Sequence, residues 1–464
     1  MNQSRHRLKR IHFIGIGGSG MSGIAEVLIN LGYEVSGSDI ASSAIIDRLR
    51  SKGANIALDH KESNIHFIDM VVLSSAISEE NIELKAAKER SIPILARAEM
   101  LSSLMNMKRG IAIAGTHGKT TTTSLLASIF TEAGLDPTFI NGGVVNSFAS
   151  NAKLGNGKYL IAEADESDKS FLMLQPSMAV ITNIEADHLI NYNNDFNNLK
   201  NAFLQFVKKL PFNGLLVACG DDHEIKSMLS VFGRPKVTYG FDESNDYVLK
   251  DYLANGFKCS FRILNGEESL EIELNLLGKH NALNAAAAAV ISLEEGVERS
   301  AVQRALKEFS GIDRRMQVRG EIFINNSTLT LIEDYGHHPT EINSTIQSIR
   351  DSHPSSKLTM VFQPHRYTRT KDLFNEFIEV LSTVDRLILL NVYPAGEEEI
   401  KGFTSKDIFN KLLTLQIPSS LALNGNQVLD SLMDCTPEDR GLLLMQGAGD
   451  ISNISNLVFK KLRK

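Results

Sequence analysis

The stretch Gly110-Ile-Ala-Ile-Ala-Gly-Thr-His-Gly-Lys-Thr-Thr-Thr-Thr-Ser124 gathers the residue types that bind a triphosphate. Glycines at 115 and 118 let successive backbone N–H groups turn inward on an anion, and a helix starting there adds its positive end. Lys119 can reach β- and γ-phosphate oxygens, and the Thr120 hydroxyl suits Mg²⁺. The strict motif asks for glycine five residues before the last one, and Ile113 stands there. A plain Gly-rich turn is the alternative. Strand, loop, Lys-Thr pair and helix nevertheless follow in the required order, so a nucleotide site is expected over Gly115, Thr116, His117, Gly118, Lys119, Thr120 and Thr121.

A second Gly-rich loop lies near the start. The apolar strand Ile11 to Ile14 leads into Gly15-Ile-Gly17-Gly18-Ser-Gly20, and a helix is expected over Met21–Leu31. The next strand, Tyr33 to Gly37, closes at Asp39, about twenty residues on, an acid placed for a ribose hydroxyl. The narrow reading is NAD binding by a dehydrogenase. The broad one is some phosphate-bearing ligand at this helix start. The broad reading is preferred, because no residue pair for hydride chemistry is recognisable downstream and a second phosphate loop is present.

Polar clusters follow predicted strands at the places where α/β proteins bind ligands. Glu163-Ala-Asp165-Glu166-Ser-Asp168 follows Tyr159–Ala162, and Asn183-Ile-Glu185-Ala-Asp187-His188 follows Met178–Thr182. Beside a phosphate loop such carboxylates and a histidine are candidates to hold Mg²⁺ against the phosphates. His280 and Asn284 are four apart and share one face of an alanine-rich helix, with helix capping the alternative for Asn281 and Asn284. Further on stand Asp334-Tyr335-Gly-His337-His338-Pro339 and Gln363-Pro-His365-Arg366-Tyr-Thr-Arg369. Two arginines three apart beside a histidine can clamp a carboxylate; an exposed basic turn fits the spacing equally well. Gly447-Ala-Gly449-Asp450 reads as a weak Gly-rich turn with no assigned role.

Strand–helix alternation must position all of these. It breaks near Met105-Asn-Met-Lys-Arg109, turns β-like and antiparallel from Tyr247 to Leu276, and restarts after Gly311-Ile-Asp313-Arg314-Arg315. A chain of 464 residues with 43% hydrophobic content suggests three domains, divided as 1–107, 108–312 and 313–464. A net charge of −7 leaves no electrostatic footprint for nucleic acid. Cys219, Cys259 and Cys435 lie far apart without metal or redox spacing. No apolar run approaches the roughly 18 residues of a membrane span, and the basic start lacks a cleavage site, so the expected location is the cytoplasm.

Taken together, Gly15-Ile-Gly-Gly-Ser-Gly-Met-Ser-Gly23, Gly115-Thr-His-Gly-Lys-Thr-Thr121, Glu163-Ala-Asp-Glu-Ser-Asp168, Thr182-Asn-Ile-Glu-Ala-Asp-His188, His280-Asn-Ala-Leu-Asn284 and Asp334-Tyr-Gly-His-His-Pro339 resemble the Mur ligases, in that family's order. The resemblance covers nearly the whole chain and is nearest to the branch that adds L-alanine. It implies an α/β protein of three domains: an N-terminal Rossmann-like domain for a UDP-sugar, a central P-loop ATPase domain with a mostly parallel sheet, and a C-terminal Rossmann-like domain that meets the amino acid and closes. It implies ATP-driven joining of L-alanine to UDP-N-acetylmuramate, with Mg²⁺ or Mn²⁺, in a monomer or weak homodimer.

Carried over residue by residue, Gly15, Gly17, Gly18, Gly20, Asp39 and Arg97 would serve the UDP-sugar. Lys119, Glu163 and His188 would be catalytic, with Thr120, Glu163 and His188 on the metal. His280, Asn281, Asn284 and Arg315 would face adenosine and phosphates, and Tyr335, His337, Arg366 and Arg369 the amino acid. Several sibling ligases carry a carbon-dioxide-modified lysine on the helix after the metal histidine; Phe203 stands at that place here, as the resemblance implies for the alanine-adding branch. The rivals are a ligase that attaches a recycled peptide to the same sugar, an NAD-dependent oxidoreductase, and a nucleotide-binding regulator.

Overall fold

A computed structural model of the chain describes residues 8–148, 150–325, 327–434 and 441–463, so Cys435 lies outside the described residues. Three sheets carry the architecture. The first has five strands in the order Asn55–Ala57, Glu34–Ser38, Arg10–Ile14, Met70–Leu73, Ile94–Ala96, paired in parallel throughout. Its core gathers Ile14, Val71, Leu84 and Ala87 with Ile65. The helix after the first Gly-rich loop begins earlier than expected, running Ser19–Asn30. Gly18, in extended backbone, already serves as its N-cap, so the helical turn starts as soon as the loop ends.

The second sheet has ten strands. Arg109–Ala114 lies between Met178–Ile181 and Tyr159–Glu163, parallel to both. Apolar residues explain the placing: Ile111, Ala112, Ile113 and Ala114 are buried, as are Leu160, Ile161, Val180 and Ile181. Near-continuous apolar runs of this kind mark strands covered on both faces. At one edge Tyr247–Asn255, Lys258–Asn265 and Glu268–Leu274 follow one another in sheet order. Two-residue connections between them allow only antiparallel neighbours, as the β-like run predicted.

The third sheet has six strands in the order Gln317–Ile324, Ser327–Asp334, Gly441–Gln446, Lys357–Phe362, Arg386–Leu390, Ser419–Ala422. Alternate residues divide between its faces. Met360, Phe362, Leu442 and Leu444 enter one core, while Val361, Leu443 and Met445 enter the other. Gly441–Gln446, late in sequence, pairs in parallel with both Ser327–Asp334 and Lys357–Phe362. The strand Gln317–Ile324 pairs antiparallel at the edge and was not anticipated. Tight contacts divide the chain into two compact units, one holding the first sheet and most of the second, and the other built from Gly311 onward, with Tyr252–Ser260 and Leu274–Ala282. No helix among the described residues is long and apolar enough to cross a membrane.

Candidate active site

The phosphate loop occupies the turn between the strand Arg109–Ala114 and the helix Lys119–Glu132. Ile113 is still inside the strand, paired with Glu163 and Val180, so the loop is two residues shorter than the strict motif requires. Two positions admit only glycine. At Gly115, φ is +131° and a Cβ would meet the Thr182 hydroxyl at 2.1 Å. At Gly118, φ is +85° and a Cβ would meet Asn284 Oδ1 at 2.3 Å. Such φ values strain any other residue.

Asn183, from the end of the neighbouring strand, staples the loop. Its carbonyl accepts from Thr116 N at 3.1 Å and its Oδ1 from His117 N at 2.8 Å. The Thr116 hydroxyl in turn accepts from Glu185 N at 2.9 Å. With those amides engaged, the N–H groups of the helix's first turn remain for an anion, because the first turn of any helix lacks internal partners. The Thr120 hydroxyl stands in that turn. Lys119 Nζ bonds the carbonyls of Gly115 at 2.6 Å and Thr116 at 3.0 Å, and Glu166 at 2.7 Å. Burial opposes its charge, but Glu166, Asp165 and Glu163 outweigh that and hold its pKa above the ordinary lysine range.

Glu163 ends one of the two strands that flank the loop and His188 follows the other, so all three stand at the same end of the sheet. Glu163 Oε1 accepts from Gly142 N at 2.6 Å, and His188 Nε2 lies 3.3 Å from Asp187. The Thr120 hydroxyl, the Glu163 carboxylate and the His188 imidazole are the candidate ligands for a divalent ion at this end of the sheet. Phe203 offers no ligand. It is fully buried on the helix Phe196–Lys208, with its ring 5.2 Å from that of Phe171.

In the first Gly-rich loop, Asp39 accepts from Gly17 N and Ile40 N, both at 2.8 Å, so the acid also fixes the loop's own backbone. Gly15 N and Ile16 N both bond Ser38 O. Arg97 stands against Gly20, donates to Ser170 Oγ at 3.2 Å, and lies 3.6 Å from Asp168. A cavity of about 350 Å³ opens here, lined by Gly18, Gly20, Arg97, Asn141, Glu163 and Asp168 among others. The first glycine loop and the carboxylate cluster beside the phosphate loop thus share one space.

Asn284, beneath the phosphate loop, belongs to the unit of the first two sheets, and His280, Asn281 and Arg315 belong to the other. Asn281 Nδ2 bonds Leu277 O at 2.8 Å, inside its own helix start. Burial pushes His280 down to about 4, with Glu341 opposing and Arg315 assisting. The guanidinium carbons of Arg314 and Arg315 lie 4.8 and 5.0 Å from the Tyr335 ring centre.

The two polar clusters of the third sheet meet. Tyr335, His337, His365 and Tyr393 form a chain of rings, with neighbouring centroids 5.5, 5.7 and 5.4 Å apart. Arg366 has φ of +71°, rare for a residue with a side chain, and its N–H bonds Tyr393 O at 2.8 Å. Its guanidinium lies 3.8 Å from Glu397, so the predicted clamp has an acidic neighbour. Arg369 lies one helical turn on and acts electrostatically on both His337 and His365. The sequence had left Gly447-Ala-Gly449-Asp450 without a role. Arg314 donates to the carbonyls of Gly447 and Gly449 at 3.3 and 3.4 Å, and Gln363 Nε2 bonds Asp450 at 2.6 Å. That turn therefore braces the ring cluster.

Family models match along almost all of the chain: the Mur ligase family catalytic domain over residues 10–109, the Mur ligase middle domain over 113–292, and the Mur ligase glutamate ligase domain over 314–444. Among solved structures, the chain is similar to a UDP-N-acetylmuramate–alanine ligase from Thermotoga maritima, at 29% identity and a TM-score of 0.82, over 98% of this chain and 99% of that one. It is also similar to a murein peptide ligase from Psychrobacter arcticus, at 22% identity and a TM-score of 0.72, over 97% and 98%. A UDP-N-acetylmuramate:L-alanyl-γ-D-glutamyl-meso-diaminopimelate ligase from Neisseria meningitides matches at 27% identity and a TM-score of 0.61, over 66% of this chain and 100% of that one.

Proposed function

Because the chain belongs to the Mur ligase family, whose members are ATP-dependent ligases of cell-wall precursor synthesis that use a divalent metal, we propose that it joins L-alanine to UDP-N-acetylmuramate. The observation that carries the reading is the shared cavity. Gly18, Gly20, Arg97 and Glu163 line one space, and Glu163 ends the strand that pairs with the one leading into the phosphate loop, which supports a sugar substrate held next to the nucleotide. The choice of acceptor is supported by the likeness to the alanine ligase over 98% of the chain.

The chemistry follows from the groups present. A carboxylate is a poor acyl donor. One of its oxygens displaces ADP from the γ-phosphorus of ATP, leaving an acyl phosphate. The amine of alanine attacks that carbonyl carbon, a proton is lost, and inorganic phosphate departs with the C–O bond. Lys119 stabilises charge on the transferring phosphoryl group. Thr120, Glu163 and His188 would hold the divalent ion, which supplies further charge neutralisation when bound. Burial pushes His337 and His365 down to about 4, so both rings are neutral at pH 7 and add no charge beside the amino acid. The N-terminal loop with Gly15, Gly17, Gly18, Gly20, Asp39 and Arg97 takes the UDP-sugar, and Tyr335, Arg366 and Arg369 orient the amino acid. We place the reaction in the cytoplasm.

One further reading has its own support, the likeness to the UDP-N-acetylmuramate:L-alanyl-γ-D-glutamyl-meso-diaminopimelate ligase, and differs only in the acceptor. Phosphate release measured with UDP-N-acetylmuramate and either L-alanine or a tripeptide separates the two.

A further inference from the structure

Glu166 sits in the carboxylate cluster after the strand Tyr159–Glu163 and bonds directly into the phosphate loop. Its side chain is 2% exposed. Both carboxylate oxygens bond Lys119 Nζ, at 3.0 and 2.7 Å. Its backbone is pinned, with the carbonyl accepting from the Tyr192 hydroxyl at 2.5 Å and from Lys169 N at 3.0 Å.

An ammonium has three protons. Here the carbonyls of Gly115 and Thr116 and the Glu166 carboxylate take all three. A phosphate oxygen can therefore gain Lys119 only if one acceptor gives way. The two carbonyls belong to the loop and move with it. Glu166 belongs to another segment, is held by its own backbone bonds, and carries the same sign of charge as the phosphate. It is the acceptor that must yield.

We propose that Glu166 is a positioning residue: it is the counter-ion that holds Lys119 when no phosphate is bound, yields it to the nucleotide, and reclaims it as ADP departs. The inference rests on reading Gly115–Thr121 as the phosphate loop. Burial supports the exchange, because it pushes the Glu166 carboxyl up to about 7 against the pull of Lys119, making the carboxylate an acceptor whose charge is itself disfavoured. Without Glu166, Lys119 would keep the two loop carbonyls but lose the carboxylate bonded to it, which is costly for a buried charge. Holding the lysine is therefore compatible with a loop that must still let it go.

The test compares ADP affinity, by titration calorimetry without divalent metal, for the full chain and its variants. Glu166→Gln should bind ADP roughly tenfold tighter, since the lysine no longer has to be released, a change of about 1.4 kcal/mol. Glu166→Asp, which keeps the charge but draws it back by one methylene, should tighten binding by a smaller factor and serves if the glutamine variant fails to fold. In a Lys119→Ala background, Glu166→Gln should gain less than about twofold, because the coupling between the two residues is gone. A merely structural role for Glu166 would weaken ADP binding or leave it unchanged. If the unmodified chain binds ADP and both Glu166 variants bind it equally well or worse, the inference is overturned and the loop assignment stands. If the unmodified chain does not bind ADP at all, the loop assignment falls and the inference with it.

Discussion

His337 and His365 face each other with ring centroids 5.7 Å apart and planes inclined by 57°. One follows the strand Ser327–Asp334 and the other Lys357–Phe362, and Gly441–Gln446 lies between those strands in the sheet. All three run in parallel, so their carboxyl ends open on the same side and distant clusters meet there.

This meeting has a pH signature. His280, His337 and His365 are each pushed from the ordinary range near 6.5 down to about 4, chiefly by burial. Between those values the folded chain binds fewer protons than the unfolded one, so stability is lost as pH falls from about 6.5 towards 4. Denaturant midpoints should drop across that window, with the three histidines taking up as many as three protons on unfolding and the raised Glu166 carboxyl releasing up to one. His337→Gln should reduce the uptake by about one. A midpoint flat between pH 7 and 4.5 would contradict the burial of these rings.

Lys119→Ala should leave the chain folded and reduce ATP-dependent phosphate release by on the order of 10²–10³ or more, the usual effect of removing one charge-stabilising contact from a dry site. Gly118→Ala should be at least as damaging, because its Cβ would stand 2.3 Å from Asn284 Oδ1 at a φ that disfavours side chains. Near-normal turnover by either variant would remove the loop from the active site.

How much of this was legible in the sequence differs from residue to residue. The loop was readable because glycine, lysine and threonine at fixed spacing have few other uses, and its short form was signalled by Ile113. The polar clusters could be placed at strand ends because apolar runs precede them. Glu166 was visible only as one acid among several, since its partner lies 47 positions away and pairing at that range leaves no local pattern. Asn183 was quoted within a motif but its stapling of the loop was not foreseen. Arg366 adopts φ of +71°, which no residue type announces; strain of this kind gathers at functional sites. The central place of Gly441–Gln446 depends on a crossover that strand composition does not encode, which is why the turn at Gly447–Asp450 seemed idle.

The N-terminal loop should discriminate between dinucleotide and UDP-sugar. In a thermal-shift titration UDP-N-acetylmuramate should raise the melting temperature, and NAD or NADP should not. At 100 times its dissociation constant a ligand contributes about 2.7 kcal/mol. Saturable NAD binding competed by the UDP-sugar would refute the assignment of Gly15–Gly20.

Phe203 yields a negative expectation. Its ring is packed against Phe171 inside the core, so no carbamylated lysine completes the site at that position. Stripping dissolved carbon dioxide should not slow the reaction, and Glu163→Ala or His188→Ala should raise the Mg²⁺ requirement without rescue by bicarbonate. A bicarbonate-dependent rate in the unmodified protein would show that another residue carries such a group.

Arg366→Lys should raise the Michaelis constant for L-alanine far more than that for ATP, because a guanidinium grips a carboxylate with two parallel bonds and an ammonium does not. Equal changes in both constants would place the carboxylate clamp elsewhere, with Arg369 the next residue to replace.

The identity of the acceptor is decided by one assay: inorganic phosphate released from ATP with UDP-N-acetylmuramate and Mg²⁺, in the presence of L-alanine, of L-alanyl-γ-D-glutamyl-meso-diaminopimelate, or of neither. Turnover is expected with L-alanine, slow turnover with L-serine and glycine, since one small group in a pocket is worth only about 1–3 kcal/mol, and none with the tripeptide. Faster release with the tripeptide than with L-alanine would contradict this expectation.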